Sequence, residues 1–310
     1  MYKEVFSKIK GVQNIAIITH ESPDGDAIGS SSAMYMAIKQ LNINADLIIK
    51  EYSNVFNIIP VLKESITEPR DIIYDICIYV DCSNSRRVNE SNIKSKYIIN
   101  IDHHISNEEF GDINIVETSP SCTQILYKIF KDNNINIDRE IATSIAIGII
   151  TDTNGFRNST TNKDTFLVVA DLIDCGINLS DIYVKVLYTN SIPQYELRKI
   201  AMNRLELLEN NKVAFTYITS IDKEKVHAGL GDHEGIADIG RSIEGVEVSI
   251  FIHEVDNIYK VSLRSNNYVD VSKIGLKFNG GGHKNAAGFV SELELNELKN
   301  KILEETRKEL

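Results

Sequence analysis

The first half of the chain alternates short apolar runs with segments whose apolar residues recur at helical spacing. The apolar runs, of a length typical of buried strands, lie at 14–19, 71–80 and 97–101. The helical spacing is found at 26–41, 121–131 and 138–150. This alternation predicts an α/β fold, a doubly wound and mostly parallel sheet with helices on both faces.

The pattern changes after about residue 190. Residues 189–195 contain the proline and small polar residues of a connection, and 196–210 has helical spacing. Strand-like runs then follow at 213–219, 246–254 and 259–264, before a terminal helix at 292–309. We therefore predict a larger domain at 1–190, a helical linker at 191–211 and a smaller α+β domain at 212–310.

Composition narrows the class of protein without naming a function. Hydrophobic residues make up 43% and charged residues 25% of the 310 residues, which is typical of globular chains. The 33 Lys and Arg against 44 Asp and Glu give a net charge of −11, which argues against a broad grip on long duplex DNA. Four scattered cysteines and the lack of a long apolar run predict a cytoplasmic protein away from membranes.

Acidic and histidine residues follow the apolar runs in four places. They are His20, Asp24 and Asp26; Asp81; Asp102, His103 and His104; and Asp152. Ligands of open α/β sheets bind at the carboxyl ends of the strands, which share one edge. We therefore expect at least His20, Asp24, Asp26, Asp81, His103 and Asp152 to lie in one crevice.

Such a group of carboxylates needs cations, because several adjacent negative charges repel and one would otherwise take up a proton. Two divalent ions balance four aspartates. Aspartate oxygens together with neutral histidine nitrogens suit Mn²⁺ best and also admit Mg²⁺, Co²⁺ or Zn²⁺. A paired site needs one carboxylate that bridges both ions, and Asp81 is the candidate. A single Asp after a strand is usually a turn residue or a helix cap, so the prediction depends on all four groups of residues occurring in this order.

These four motifs in this order resemble those of the DHH phosphoesterases, a family named for the sequence of Asp102, His103 and His104. The resemblance implies one metal held by His20, Asp24 and Asp81. It implies a second metal held by Asp26, Asp81, His103 and Asp152. Asp102 would then orient His103, and His104 would face the substrate phosphate, so that Asp81, Asp102 and His104 are the catalytic candidates.

The second half carries a glycine-rich motif, residues 280–283, followed by 286–288 (Ala-Ala-Gly). With 262–265 (Ser-Leu-Arg-Ser), it resembles the signature of the DHH-associated domain. Consecutive glycines let backbone N–H groups approach an anion, and an arginine offers a planar fork to phosphate. The predicted substrate-binding residues are Arg264, Ser265, Gly280, Gly281, Gly282 and His283.

Other charged residues are ambiguous. Arg86, Arg87 and Lys284 are candidates for further phosphate contacts but equally suit a solvated surface. The remaining histidines, His227, His233 and His253, lie outside the motifs, and we interpret them as structural or surface residues.

The resemblance covers nearly the whole chain and points to the compact nanoRNase type of the family. It implies hydrolysis of oligoribonucleotides of about two to five nucleotides to mononucleotides. It also implies removal of the 3′-phosphate from adenosine 3′,5′-bisphosphate (pAp) to give AMP. A homodimer is implied by the resemblance alone.

Several alternatives stay open. A phosphodiesterase for linear or cyclic dinucleotides (pApA, pGpG or cyclic di-AMP) is poorly separated by sequence, since the linear forms are themselves short RNA. An inorganic pyrophosphatase is more remote, because Gly280–His283 stands where a Ser-Arg-Lys-type signature is expected. A nucleotide-binding regulator without turnover is equally remote, because the ligand set is complete.

Overall fold

We analysed a computed structural model, which describes residues 2–21, 23–84, 93–229, 231–256 and 258–310. Arg86 and Arg87 lie outside the described residues. The chain forms two compact units, residues 1–189 and 190–310, and each is described by itself. The placement of domain boundaries at 190 and 212 stays a prediction.

The first unit is built on a five-stranded sheet in the order β2-β1-β4-β6-β7, in which every neighbouring pair is parallel. Its strands are β1 (Asn14–Ile18), β2 (Asn44–Ile48), β4 (Ile76–Val80), β6 (Ile98–Asp102) and β7 (Ile113–Val116), and β3 (Ile73–Tyr74) pairs separately with β5 (Lys94–Ser95). Its helices are α1 (Tyr2–Ile9), α2 (Gly25–Lys39), α3 (Cys122–Asp132), α4 (Arg139–Asp152), α5 (Lys163–Asp174) and α6 (Leu179–Tyr183), with short 3₁₀ turns at 54–58 and 60–64 and a π-helical turn at 184–188. The predicted parallel α/β architecture is confirmed.

The central strands explain why the apolar runs were readable. Ile15, Ile17, Ile78 and Ile99 are fully buried in the core, as expected for strands covered on both faces. Helices α2 and α4 are buried around nearly their whole circumference, and their charged residues lie at the helix ends.

The second unit contains a mixed six-stranded sheet in the order β12-β13-β11-β10-β9-β8. Its strands are β8 (Glu206–Leu208), β9 (Val213–Ile218), β10 (Val248–Val255), β11 (Ile258–Ser265), β12 (Gly281–His283) and β13 (Ala286–Ser291); its helices are α7 (Ile192–Asn203), α8 (Ser220–Lys225), α9 (Val271–Lys277) and α10 (Leu295–Glu309), with 3₁₀ turns at 236–238 and 240–242. Only β9 and β10 pair in parallel, and the other pairs are antiparallel. Helices α9 and α10 pack on one face of this sheet, and α7 with the two 3₁₀ turns packs on the other.

The helix predicted over 196–210 is wrong in its second half. Helix α7 ends at Asn203, and residues 206–208 instead form β8, which pairs antiparallel with β9. Leu197 and Ala201 of α7 are fully buried against Ile218 and Ile236 of the same unit. The tertiary partner β9 therefore decides the conformation of a segment whose apolar spacing alone favours a helix.

The cysteines are free thiols. Cys77, Cys82 and Cys122 are buried, and Cys175 is partly buried. Among the helices that the structure describes, none is both long and apolar enough to cross a membrane.

Candidate active site

Eight of the predicted residues meet at one edge of the parallel sheet. His20 follows β1, Asp81 follows β4, and Asp102 ends β6, so three strands deliver side chains to the same edge. The remaining residues come from these loops and from two helix ends: Asp24 and Asp26 at the start of α2, His103 and His104 after β6, and Asp152 at the end of α4.

A close contact between α2 and α4 positions the two helix ends. A Cβ atom at Gly25 would overlap the side chain of Thr151, and one at Gly29 would overlap the backbone carbonyl of Ser144. At Gly148 a Cβ would overlap Thr123 Oγ1 and lie 2.5 Å from Asp26 Oδ1. Glycine at these positions lets the helices approach closely, and the contact brings Asp26 near Asp152.

The Asp26 carboxylate is fixed by the start of α3. Oδ2 accepts a hydrogen bond from the backbone N–H of Cys122 (2.6 Å), and Oδ1 accepts from the N–H and hydroxyl of Thr123 (3.0 and 2.9 Å). The side chain is only 1% exposed. These N–H groups have no partner within the helix, and the helix dipole favours a negative charge beside them.

Asp81 occupies the middle of the cluster on a left-handed backbone, with φ +55°. Its N–H donates to the carbonyl of Ile101 (3.0 Å), which anchors the sharp exit from β4. The residue is 2% exposed, yet no described residue donates a hydrogen bond of good geometry to Oδ1. A buried carboxylate oxygen without a hydrogen-bond donor is strongly unfavourable unless a cation compensates it.

The ligand atoms fall into overlapping groups in which all atoms lie within 4.8 Å of one another. These groups are His20, Asp24 and Asp81; Asp26, His103 and Asp152; and Asp81, Asp102, His103 and His104. Nε2 of His103 lies 3.4 Å from Asp81 Oδ1 and 3.5 Å from Asp152 Oδ2. Nε2 of His20 lies 3.9 Å from Asp81 Oδ2. Asp81 thus shares one group with His20 and another with His103, whereas the group of Asp26, His103 and Asp152 does not include it.

The protonation of the cluster reflects its crowded negative charge. Burial, reinforced by the charge of Asp81, raises the pKa of Asp26 to about 7, and burial raises the pKa of Asp152 well above its usual value. Burial alone would lower the pKa of His103, but its contact with Asp81 and the charges of Asp26 and Asp152 raise it to about 11. Burial would raise the pKa of Asp81, but the neighbouring histidines hold it below its usual value.

The residues present fit a pair of divalent cations. Four carboxylates and two imidazoles supply hard oxygen and borderline nitrogen ligands, and Asp81 offers one oxygen to each side. Nδ1 of His103 donates to the carbonyl of Ser119 (3.0 Å), so Nε2, the nitrogen that faces the carboxylates, is the one that would give up its proton to bind a cation.

The predicted role of Asp102 needs correction. Its Oδ1 accepts from Nδ1 of His104 (2.7 Å), whereas the ring of His103 is oriented by Ser119. The reason lies in the short turn after β6. There Oδ1 of Asp102 also accepts a hydrogen bond from the backbone N–H of His103 (2.8 Å), which directs this oxygen toward the ring of His104. Asn107 donates to Oδ2 (2.6 Å), which leaves Asp102 fully buried and fixed.

The predicted substrate-binding residues lie in the second unit, around β11 and the hairpin of β12 and β13. Arg264 of β11 is half-buried and pairs in register with Ala286 of β13, which also pairs with the exposed His283. At Gly282, φ is +140° and a Cβ would lie 2.6 Å from the Ala287 Cα. The structure thus brings Arg264, His283 and the glycines together, with Gly281 and Gly282 in a strand and Gly280 directly before it.

Ser265 is not placed as predicted. Successive residues of a strand point to opposite faces, so Ser265 faces away from Arg264. It is fully buried, and its hydroxyl donates to the carbonyl of Lys284 (3.3 Å) and accepts from the amide of Asn285 (3.1 Å). Ser265 therefore stabilises the hairpin instead of facing a ligand.

Sequence reasoning missed the residues that hold the metal-ligand candidates in place. Thr123, Ser119 and Asn107 bond Asp26, His103 and Asp102, respectively. A partial signal was present, because Ser121 precedes an apolar-periodic segment and caps α3 by accepting the N–H of Gln124 (3.1 Å). The capped helix start predicts N–H groups that can face an anion, although not which anion.

Comparison with known proteins agrees with this geometry. Residues 14–149 match the model of the DHH family N-terminal domain, and residues 210–309 match that of the DHHA1 domain. The bifunctional oligoribonuclease and PAP phosphatase NrnA of Thermus thermophilus is 30% identical, over 99% of this chain and 93% of that protein.

Two further relatives are similar over comparable lengths. The probable bifunctional oligoribonuclease and PAP phosphatase NrnA of Streptococcus mutans is 26% identical, over 93% of this chain and 92% of that protein. The crystal structure of an exopolyphosphatase-related protein from Bacteroides fragilis superposes with a TM-score of 0.88 at 25% identity, covering 98% of this chain and 95% of the other.

Proposed function

Because the chain belongs to the DHH family of phosphoesterases, we propose that it hydrolyses oligoribonucleotides of about two to five nucleotides and removes the 3′-phosphate of pAp. Phosphate-ester hydrolysis is the chemistry of the family. The choice of substrates is supported by the activities for which the Thermus and Streptococcus relatives are named. The observation that carries the proposal is the convergence of four aspartates and two histidines in overlapping groups at one edge of the sheet, with the buried Oδ1 of Asp81 lacking a hydrogen-bond donor among the described residues.

In this proposal residues 1–190 are the catalytic domain. One divalent cation, Mn²⁺ being the best match to the ligand types, would be held by His20, Asp24 and Asp81. The second would be held by Asp26, Asp81, His103 and Asp152. When bound, such ions supply Lewis acidity that polarises the phosphoryl group and balances its charge.

The protein's own residues give this centre its shape. Thr123 and the start of α3 fix the direction of Asp26, and Ser119 fixes the ring of His103. His104 is held through Nδ1 by Asp102, so its Nε2 edge is the one presented to a substrate oxygen. We infer that His104 hydrogen-bonds the phosphoryl or leaving oxygen, and that Asp102 keeps its ring in that tautomer.

The second unit would bind the nucleotide away from the scissile bond. Arg264 offers two parallel N–H groups to a phosphate, and the exposed His283 offers another donor. Side-chain-free glycines beside them leave backbone within reach of a ligand. We therefore propose that residues 212–310 form the substrate-binding domain.

A turnover panel tests the proposed function. With Mn²⁺ present we expect loss of pAp, of a dinucleotide and of a 5-mer RNA, with a 24-mer and pyrophosphate spared. Products are separated chromatographically. Asp81→Asn is the blank, because asparagine tolerates the left-handed backbone at this position while removing the bridging carboxylate.

Other outcomes would point elsewhere. Cleavage confined to one linear or cyclic dinucleotide would indicate second-messenger turnover. Hydrolysis of pyrophosphate alone would overturn the assignment of the second unit. No turnover with Mn²⁺, Mg²⁺ or Co²⁺ would favour a nucleotide-binding regulator.

A further inference from the structure

One face of the second unit's sheet carries an open strip of polar and small residues. Lys260, Ser262 and Arg264 alternate along β11 and therefore share this face. Their partners on β13 are small or aliphatic: Val290 opposite Lys260, Gly288 opposite Ser262, and Ala286 opposite Arg264. The strip is half-buried to exposed along its length, with Arg264 at one end and Lys260 at the other.

An imidazole pair lies beside the Lys260 end. His253 of β10 is the register partner of Lys260, and its ring packs against that of His233 with centroids 4.2 Å apart. His253 is 5% exposed, and its Nδ1 is buried with no hydrogen-bond partner among the described residues. A polar atom in that position is unfavourable unless a ligand or water satisfies it.

Two lysines make this end of the strip positive. Lys223 of α8 donates to the carbonyl of Glu254 (2.6 Å), the residue after His253, and Lys260 is exposed. Burial, together with these two positive charges, lowers the pKa of His233 to about 4 and that of His253 to about 2. At neutral pH both rings are therefore uncharged, and each has one N–H to donate.

Three acidic groups lie nearby: Asp256, whose charge acts on Lys223, and two that already accept hydrogen bonds from other residues. The Asp232 carboxylate accepts from the hydroxyl of Ser191 (2.5 Å) and from the N–H of Gly229 (2.7 Å). The Glu254 carboxylate accepts the N–H of Ser220 (3.0 Å). The charges of Lys223 and Lys260 act on both imidazoles, so two ammonium groups and two imidazoles are grouped at this end of the strip, as an anion with several acceptor oxygens requires.

We propose that Lys223, His233, His253 and Lys260 form a second phosphate subsite, which binds a backbone phosphate of an oligonucleotide whose end is held at Arg264. This inference rests on the proposed function.

Lys260 and Arg264 are four strand residues apart, about 13 Å. This span is longer than one nucleotide step, so adjacent phosphates cannot occupy both sites. The subsite therefore favours substrates of three or more nucleotides over a dinucleotide or pAp.

Kinetics with substrates of two lengths test the subsite in the full chain. We expect Lys260→Ala to raise KM for a 5-mer RNA about three- to fivefold at low salt, and to raise it less for a dinucleotide. Lys260→Arg, which keeps the charge, should recover most of the loss. The ring of His233 is only partly buried, so it can be replaced with little effect on folding. His233→Gln should raise the ratio of KM for the 5-mer to KM for the dinucleotide in the same way, and its melting temperature checks that it folds. Lys225→Ala is the matched control, an exposed lysine on the same helix as Lys223.

Salt dependence of binding gives a second readout that needs no turnover. Binding of a fluorescent 5-mer to the Asp81→Asn protein is measured by anisotropy over a range of KCl concentrations. Each phosphate contact contributes about −0.7 to the slope of log K against log salt for single strands. Lys260→Ala should make the slope shallower by about 0.7, and Lys225→Ala should leave it unchanged.

The outcomes separate the two claims. Equal losses on 5-mer and dinucleotide, or an unchanged salt slope, would overturn the subsite while leaving the proposed function standing. If the unmodified protein hydrolyses neither RNA, the proposed function fails, and the slope comparison alone decides whether the phosphate subsite exists.

Discussion

Thr123 donates to the Asp26 carboxylate twice, through its backbone N–H and its hydroxyl. The same hydroxyl lies 2.9 Å from the Ser121 hydroxyl, so it belongs to a small network at the start of α3. Asp26 sits on α2, and its direction is therefore set by a helix that begins 96 residues later in the chain. Hydrogen bonds of this kind around a metal ligand typically govern affinity as well as orientation.

Replacing that hydroxyl with a methyl group tests this role. We expect Thr123→Val to weaken Mn²⁺ binding at least about tenfold, because Asp26 loses one donor while the side-chain shape is kept. Thr123→Ser, which retains the hydroxyl, should stay near the unmodified affinity. Isothermal titration calorimetry measures both. An affinity of the valine variant within twofold of the original would show that the hydroxyl does not position Asp26.

At the residue scale, the sequence predicts the candidate metal ligands but almost none of the residues that hold those ligands in place. Asp81 and Asp102 are predictable because they directly follow apolar strands whose ends share an edge. Thr123 and Ser119 are not, because their partners are distant in sequence and a threonine or a backbone carbonyl carries no distinctive pattern. The Asp102–His104 pairing was also missed, since it depends on the turn after β6 rather than on residue type.

At the scale of elements, the close contact between helices α2 and α4 does most to set the position of Asp26. Gly148 faces Thr123 and Asp26, and it leaves no room for even a methyl group. We expect Gly148→Ala to weaken Mn²⁺ binding by tenfold or more, although alanine favours a helix by about 1 kcal/mol over glycine. Titration calorimetry and circular dichroism together separate lost binding from lost helix.

The control for this substitution is Gly229→Ala. The nearest atom to a Cβ at position 229 is Asp232 Oδ2, at an ordinary 3.7 Å. If both variants bound Mn²⁺ normally, the close helix contact would not be what sets the position of Asp26.

Elements were predictable where burial was greatest. The central strands β1, β4 and β6 appear as apolar runs, whereas β2 and β7 are the edges of the sheet and are less completely buried. Strands β12 and β13 were missed because a run of glycines resembles a loop, and their pairing supplies what propensity does not. Residues 206–208 were likewise mispredicted, because their pairing with β9 makes them a strand where the apolar spacing favours a helix.

At the scale of the whole molecule, the clustered carboxylates make stability depend on metal. An ion that binds only the folded chain stabilises it by about 2.7 kcal/mol at one hundred times its dissociation constant. For a unit of this size, that corresponds to a rise in melting temperature of roughly 5–10 °C. Differential scanning calorimetry with and without Mn²⁺ should show it, and Asp81→Asn should lose most of the rise. An equal rise in both proteins would place the stabilising ion elsewhere.

The buried imidazole pair predicts a separate dependence on pH. His233 and His253 are neutral when folded, with pKa values lowered to about 4 and about 2, whereas unfolded histidine titrates near 6.5. Below pH 6.5 the unfolded chain therefore binds more protons, so this stabilisation is present above 6.5 and declines as the pH falls. Each ring contributes a slope of up to about 1.4 kcal/mol per pH unit.

Urea unfolding between pH 7 and pH 4.5 measures that slope. His253→Gln removes one of the two groups and should make the decline with pH shallower. A decline as steep as in the unmodified protein would mean that other groups account for it.

The glycines of β12 have a consequence for solubility. β12 is one of the two edges of the second unit's sheet, and an exposed edge can pair with a strand of another molecule and start aggregation. Here the edge strand is three residues long, its side chains are two hydrogens and an imidazole, and the exposed Lys284 follows it directly. A short edge bordered by a positive charge offers little template for intermolecular pairing. The segment proposed to leave its backbone open to a nucleotide thus also protects the protein from intermolecular strand pairing.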